Sequence, residues 1–361
     1  MGTPEQDRFM LEVFKVDVSQ LGFSGKGGGV PLAAKGVGAD GSKAAGAEPP
    51  PMPGSPSGIP NPPPPGAGTD PWMASRGLLA TAKKRVSALT ILKDPAAKGF
   101  RSRLDMAEKL AASGKHPEAA AALAKLAAEV NAAFDASRAP PQPTAEQLAA
   151  RKAVADGLTK PVGSATAADS ALVVGHLTKM PKALLDALKK NGTKIQTCRG
   201  SVTDYLTALK GVKPRGWPPG STWDSVPGLQ QPDTKEVVIA TIGHAAGNPH
   251  VPATGEGHGC ADLVIHESAH GVDFAFKPLL SAGAPFNAAR TPDKPALDAY
   301  ESQPGAAGQQ ETFAESCARF YSNDPSSLEN TPHLHKYWHD NPLGPPDPPA
   351  KPAAAVKAAK P

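Results

Sequence analysis

Between residues 116 and 138 the chain reads HPEAAAALAKLAAEVNAAFDASR, with Leu123, Leu126, Val130 and Phe134 recurring at intervals of three and four. That spacing predicts an alanine-rich helix with one narrow apolar stripe. The stretch before it, RLDMAEKLAASGK, reads as a helix closed by a glycine turn, and no second copy of this hairpin follows, which argues against a solenoid. TAEQ at 144–147, after the prolines at 140–143, has the form of a capping box that opens a further helix. Residues 73–158 are therefore expected to form a small all-α module, to which no chemistry is assigned.

The pattern changes near residue 160. MPKALLDALKKNG reads as a helix ending at Gly192, TKIQTC follows as a strand, and KEVVIATI at 235–242, β-branched and bounded by turn residues, is the clearest strand in the chain. A Gly/His/Pro loop over 243–260 leads into DLVIHESAHGVDF (262–274), and QQETFAESCARFY (309–321) is helical by period. Mixed helices and strands of this kind make the second half α+β.

Elsewhere the patterning fails. Residues 24–72 combine Gly, Ala and Ser with proline runs, including PPPP, and read as a disordered tether and semi-rigid spacer between a short N-terminal segment (1–23) and the module. The last stretch, 342–361, returns to Pro, Ala and Lys and reads as a disordered tail. With 41 prolines, 36 glycines and 5% aromatics in 361 residues, the folded fraction is smaller than the length. A net charge of +4 without a block of like charges gives no footprint for nucleic acid. No run of eighteen apolar residues predicts a membrane span, and the amino terminus lacks the basic start and apolar core of a secretory signal. Cys198, Cys260 and Cys317 are odd in number and without a CxxC pair, which argues against a disulfide framework or a cysteine zinc knuckle.

Chemistry concentrates in the HESAH of 266–270. Residues four apart on a helix share a face, so His266 and His270 aim two imidazoles at one point, and Glu267 stands beside the position where a zinc-bound water would be held. Such a pattern arises by chance, and the alternative is a helix whose polar residues face solvent; the flanking Leu263, Val264, Ile265, Val272 and Phe274 favour burial. Glu311 and Glu315 lie one turn apart in ETFAE, opposite Phe313, Cys317 and Phe320. Either glutamate suits a third metal ligand, with the other orienting a ligating histidine from behind; Asp273 is a further candidate for that supporting role, or for capping its turn. His244, His250 and His258 read as solvated loop residues rather than a second metal site, Cys260 and Cys317 as packing, and Trp217 and Trp223 as anchors of an irregular loop rather than a cleft lining.

HESAHGVDF together with ETFAESCARFY resembles the anthrax lethal-factor-like family of zinc peptidases, and STWDSVPG before KEVVIATI is similar to that family's approach to its edge strand. The similarity covers about residues 180–325. It implies a zincin-like metallopeptidase domain, expected over 160–341, with an active-site helix beside a small mixed sheet with an edge strand. It implies Zn2+ held by His266, His270 and Glu311, with Glu315 behind a ligand. The family's catalytic tyrosine stands seven residues before that glutamate, a place held here by Pro304; Tyr300 is the nearest tyrosine upstream and is the expected oxyanion donor, with Tyr321, His333, His335 and His339 as alternatives.

The expected activity is peptide hydrolysis: Glu267 takes a proton from the zinc-bound water and passes it to the leaving amine. A protein or peptide substrate would lie extended along strand 235–242 by strand addition. The resemblance further implies a toxin or effector that leaves the cell without a classical signal peptide, or stays cytoplasmic before export, with a secretion or delivery partner. Rival readings are a metal-free zincin-like adaptor, and a zinc amidase or endopeptidase acting on cell-wall peptides.

Overall fold

The structure is a computed structural model describing residues 70–213, 220–340 and Leu343. The expectations for segment 1–23, for the tether through residue 69, for Trp217 and for the tail other than Leu343 lie outside the described residues. Asp70 accepts from the backbone N–H of Trp72 at 2.9 Å and opens helix α1 (Pro71–Ala74), so the end of the expected tether is helical.

Three helices follow: α2 (Arg76–Ile91), α3 (Ala97–Ala112) and α4 (His116–Arg138). They bury one small core that includes Leu78, Val86, Leu89, Phe100, Leu104, Leu123, Leu126 and Val130, the stripe expected from the sequence. Phe134, the last member of that stripe, is used differently. It packs with Ala88 and Leu328, so the helical unit is joined to the rest of the protein by an apolar contact. Beside that contact Arg85 donates to Asn131 Oδ1 at 2.7 Å and reaches Glu329 at 3.4 Å.

Thr144 and Gln147 form the capping box that starts α5 (Ala145–Leu158). This helix, grouped by sequence with the α module, buries Val154, Ala155 and Leu158 in the larger core. That core lies on one face of a four-stranded sheet built from β1 (Thr159–Pro161), β2 (Lys194–Arg199), β3 (Gly228–Gln231) and β4 (Glu236–Thr241), in the order β1-β2-β4-β3. Period-two alternation explains both faces. Ile195, Val237 and Ile239 enter the larger core, whereas Cys198, Leu229, Val238 and Ala240 meet Trp223 and Val202 on the other side. Helices α6 (Ala167–Leu177), α7 (Lys182–Asn191), α8 (Leu263–Phe274), α9 (Ala284–Asp293), α10 (Gly305–Tyr321), α11 (Pro325–Asn330) and α12 (Pro332–His339) complete the α+β fold.

One expectation is overturned. The strand at 235–242 has no edge to offer a substrate, because β4 pairs in parallel with β2 along its whole length and antiparallel with β3. Both rows of its backbone groups are spent within the sheet. The edge strand beside the active-site helix is β3, and the opposite edge, β1, carries Lys160 and Pro161.

Candidate metal centre and cleft

Helix α8 is fixed at its start by Asp262. One oxygen of that carboxylate caps the Ile265 N–H at 3.2 Å while the other meets His176 Nδ1 at 2.7 Å and Lys179 Nζ at 2.8 Å. Despite burial, those two partners hold the Asp262 carboxyl down at about 2. Leu263, Val264, Ile265, Ala269 and Val272 then bury one side of the helix, which turns His266, Glu267 and His270 toward α10 and β3.

Glu311 and Glu315 come from α10, the helix most extensively packed on α8. Glu315 Oε2 lies 3.2 Å from His266 Nδ1. A carboxylate only accepts, so Nδ1 carries a proton, and Nε2 is the nitrogen free to offer its lone pair to a cation at the centre. His266 Nε2 is 3.3 Å from His270 Nε2 and 3.4 Å from Glu311 Oε2, and His270 Nε2 is 3.5 Å from the same oxygen. Glu311 Oε2 is buried and has no hydrogen-bond donor. Three such atoms at the corners of a small triangle repel one another unless positive charge, a proton or a metal ion, lies between them. Tetrahedral zinc with bonds of about 2.0 to 2.1 Å separates its ligands by about 3.3 to 3.4 Å, so the donor set fits that ion.

The electrostatics of the residues agree with that geometry. Burial opposes charge on His266, but the carboxylates around it, Glu311, Glu315 and Glu267, raise its imidazole well above the ordinary value. Burial would raise Glu311, and His270 and His266 instead bring it well below the carboxylate range. The centre is thus built to receive positive charge. A second set, Cys260, His266 and Glu315, also has its ligand atoms within 4.8 Å. There Glu315 Oε1 is already committed to Ala261 N and Arg319 Nε, and burial pushes the Cys260 thiol up to about 12, which leaves a protonated sulfur beside His258 Nδ1.

Glu267 does not join the triangle. It lines the same cleft, of about 370 Å³, and burial raises its carboxyl above the ordinary range, toward the values at which a carboxyl can both accept and return a proton. Tyr300 lines the cleft as well; 51% of its surface is exposed, but its phenol group is the shielded part, and that desolvation, then the charges of Glu311 and Glu267, raise it well above its usual value. It is therefore a protonated donor.

The alternative donors are elsewhere. Tyr321 packs on Phe320 and Trp338, His335 is buried against Ser327 Oγ, His333 bonds Asp293, and His339 lies beside Asp340. Asp273 is fully buried and gives both oxygens to Ser281, to its N–H at 2.8 Å and its Oγ at 2.6 Å, so it fastens the turn after α8 and reaches His270 through charge alone. The loop histidines do not converge: His244 bonds Thr241, His250 bonds Glu256 and His258 bonds Pro252 O. Trp223 is buried yet contributes to the cleft wall.

Sequence reasoning missed three participants. Gly228 of β3 lies so close to α8 that a Cβ there would stand 2.6 Å from Leu263 Cδ1 and 3.1 Å from Glu267 Cγ. Glu301 and Arg319 form a buried ion pair behind the centre, Nη1 to Oε1 at 3.1 Å and Nη2 to Oε2 at 2.9 Å. The HExxH spacing carries no information about any of these; a charged residue at i+4 from Glu315 was the one available signal, for Arg319.

Comparison with known proteins gives a consistent set. The family model described as anthrax toxin lethal factor, N- and C-terminal domain, matches residues 156–340, just over half of the chain. A Pro-Pro endopeptidase of Paenibacillus alvei is 39% identical over 116 residues, which cover 31% of this chain and 48% of that protein, so the alignment spans about half of that relative. A Pro-Pro endopeptidase of Clostridioides difficile is 31% identical over 170 residues, 46% of this chain and 71% of that protein. Among solved structures, that of the Paenibacillus alvei Pro-Pro endopeptidase matches at 29% identity over 52% of this chain and 98% of that one, with a TM-score of 0.40.

Proposed function

The chain belongs to the anthrax toxin lethal factor family, and on that premise we propose that it is a zinc-dependent endopeptidase whose ligands are His266, His270 and Glu311. The observation that carries the reading is the triangle of two Nε2 atoms and one carboxylate oxygen with sides of 3.3, 3.4 and 3.5 Å. When bound, the ion would polarise the scissile carbonyl and acidify a water. Glu267 takes the proton released by the attacking water and delivers it to the leaving nitrogen, and its raised carboxyl suits both directions. Tyr300 donates its phenol proton as a hydrogen bond to the oxyanion as negative charge develops. Glu315 holds His266 in the tautomer that points Nε2 at the centre.

The substrate lies extended along β3, whose outer edge faces the cleft through Gly228, Leu229 and Gln230. Given the relatives, we propose a peptide with proline on both sides of the scissile bond. Two adjacent prolines have no N–H to donate, so strand pairing at those positions is limited to donation from β3, and selection falls to apolar contact. Val226, Pro227, Leu229 and Phe274 supply that contact in the cleft wall. Proline as leaving group is a secondary amine that must be protonated, the second task of Glu267. An exported toxin or effector role, with residues before 156 serving delivery, is part of this proposal on family kinship; no helix among the described residues is long and apolar enough to cross a membrane.

The test is metal analysis with cleavage of a Pro-Pro peptide. Wild type is expected to bind one zinc and cleave, His266→Ala to lose both, and Glu267→Ala to retain zinc and lose cleavage. Zinc with no proteolysis in wild type would make the protein a binding module; hydrolysis of purified peptidoglycan alone would make it a cell-wall enzyme. Absence of zinc from wild type refutes the reading.

A further inference from the structure

We propose that Arg319 is a positioning residue that locks the Tyr300 segment to the imidazole of His266, so that the oxyanion donor and the metal ligands are held as one rigid unit. The inference rests on the reading of His266, His270 and Glu311 as zinc ligands. Arg319 follows Glu315 by one turn of α10. Its Nε lies 3.1 Å from Glu315 Oε1 in an ion pair, while its two terminal nitrogens donate to Glu301 at 3.1 and 2.9 Å. The other oxygen of Glu315 holds His266 Nδ1 at 3.2 Å. Four side chains thereby form one unbroken line, Glu301 to Arg319 to Glu315 to His266.

The far end of that line is joined to Tyr300 by a peptide bond. Glu301 is 1% exposed, and its backbone is fixed on both sides: its N–H donates to Asp298 Oδ1 at 2.8 Å, and its carbonyl accepts from Arg290 Nη2 at 2.7 Å and Thr312 Oγ1 at 3.0 Å. Thr312 is the residue after the ligand Glu311, so the Tyr300 segment is tied to α10 by backbone as well as by the ion pair. Without such ties a half-exposed tyrosine on a loop would search many orientations, and an oxyanion donor is useful only when it is held in place before charge develops. Only a guanidinium suits the junction. One planar fork satisfies a bidentate carboxylate and still sets its charge against a second one, whereas a lysine ammonium is a point charge on a flexible stem.

A buried ion pair with a purely structural role would leave the metal site as it is. The experiment therefore measures zinc affinity by competition with a chromogenic chelator, together with kcat, KM and the melting temperature, for Arg319→Lys and Glu301→Gln. Loss of a supporting contact to a metal ligand typically weakens affinity by about 10-fold to 100-fold. Arg319→Lys is expected to weaken zinc about tenfold and to lower kcat at saturating zinc by about as much, with KM within about twofold. Glu301→Gln is expected to lower kcat at least about fivefold, with a smaller effect on zinc, because it touches the tyrosine end of the line. A folded Arg319→Lys with wild-type zinc affinity and wild-type kcat overturns the proposal. If that variant does not fold, Glu301→Gln decides, and an unchanged kcat overturns it. A wild type that binds no zinc sinks the underlying reading instead, a result distinguishable because it precedes any variant.

Discussion

Gly228→Ala perturbs the active site through the sheet without touching a ligand. The added methyl would lie 2.6 Å from Leu263 Cδ1, 3.2 Å from Leu263 Cγ and 3.1 Å from Glu267 Cγ. Leu263 is 2% exposed in the larger core and has little room to retreat. Overpacking of this kind costs about 1 to 3 kcal/mol. The alanine also removes unfolded-state entropy, which returns about 0.4 to 1 kcal/mol, so a net loss of about 1 to 2 kcal/mol is expected in urea unfolding. The catalytic effect follows from Glu267, which must move by a few tenths of an ångström. A misplacement of about 1 Å costs roughly 100-fold, so about a third of that distance costs about fivefold in kcat. Zinc affinity stays within about twofold, because neither histidine nor Glu311 meets the new methyl. Steady-state kinetics at saturating zinc, chelator competition and urea titration together separate these effects. Shortening the opposing side chain provides the internal control: in Gly228→Ala/Leu263→Val the two stability losses should fall short of additivity by at least about 0.5 kcal/mol. A Gly228→Ala enzyme with wild-type kcat would refute the claim that β3 fixes the position of Glu267.

Two further outcomes follow from the site. Tyr300→Phe should lower kcat by about 10²-fold to 10³-fold, the loss typical of one oxyanion donor, with zinc content and KM nearly unchanged; a loss below about threefold would remove Tyr300 from the mechanism. Asp262→Asn keeps the cap of α8 but removes the charge that faces His176 and Lys179. The Asp262 carboxyl is depressed to about 2 in the folded state, so its contribution is present above the unfolded value of about 3.9 and is lost as pH falls through about 2. The variant should be about 1 to 2 kcal/mol less stable at pH 7, the lower figure allowing for solvent around the two partners, with the difference shrinking between about pH 4 and pH 2. An equal difference at pH 7 and pH 2.5 contradicts the assignment.

The legible part of this protein is what local period encodes. His266 and His270 share a face because a helix repeats every 3.6 residues, and Glu311 and Glu315 both meet His266 because they too are one turn apart. The Thr144 cap and the strands 194–199 and 236–241 are read from the same local rules. What escaped is long-range. β3 reads Gly-Leu-Gln-Gln, four residues with no apolar alternation, and its burial comes from β4 on one side and α8 above it. Strand 236–241 was the natural choice for substrate pairing by composition, yet the more apolar a strand is on both faces, the more it belongs in the middle of a sheet. Phe134 fits the helical stripe perfectly by spacing and still packs on Leu328, because period predicts a face and not the partner that covers it.

Tyr300 is the instructive case, since the residue at the family's tyrosine place is Pro304. Counting back from Glu311, Tyr300 is four residues further away, a little more than one helical turn. The chain turns back where α10 begins. Pro304 precedes the first helical residue, and the chain before it folds back over the new first turn, so closely that a Cβ on Gly308 would lie 2.0 Å from the Gln303 carbonyl oxygen. Only a residue without a side chain permits that approach. The fold-back returns Tyr300 to the side of α10 that carries Glu311, and the Arg290 and Thr312 bonds to the Glu301 carbonyl keep it there. Tyr300 thus reaches the cleft wall beside Glu311 although Pro304 stands between them in sequence. A motif counted in residues cannot see this, but a helix start with proline at its cap and glycine one turn in is where such a count is most easily shifted.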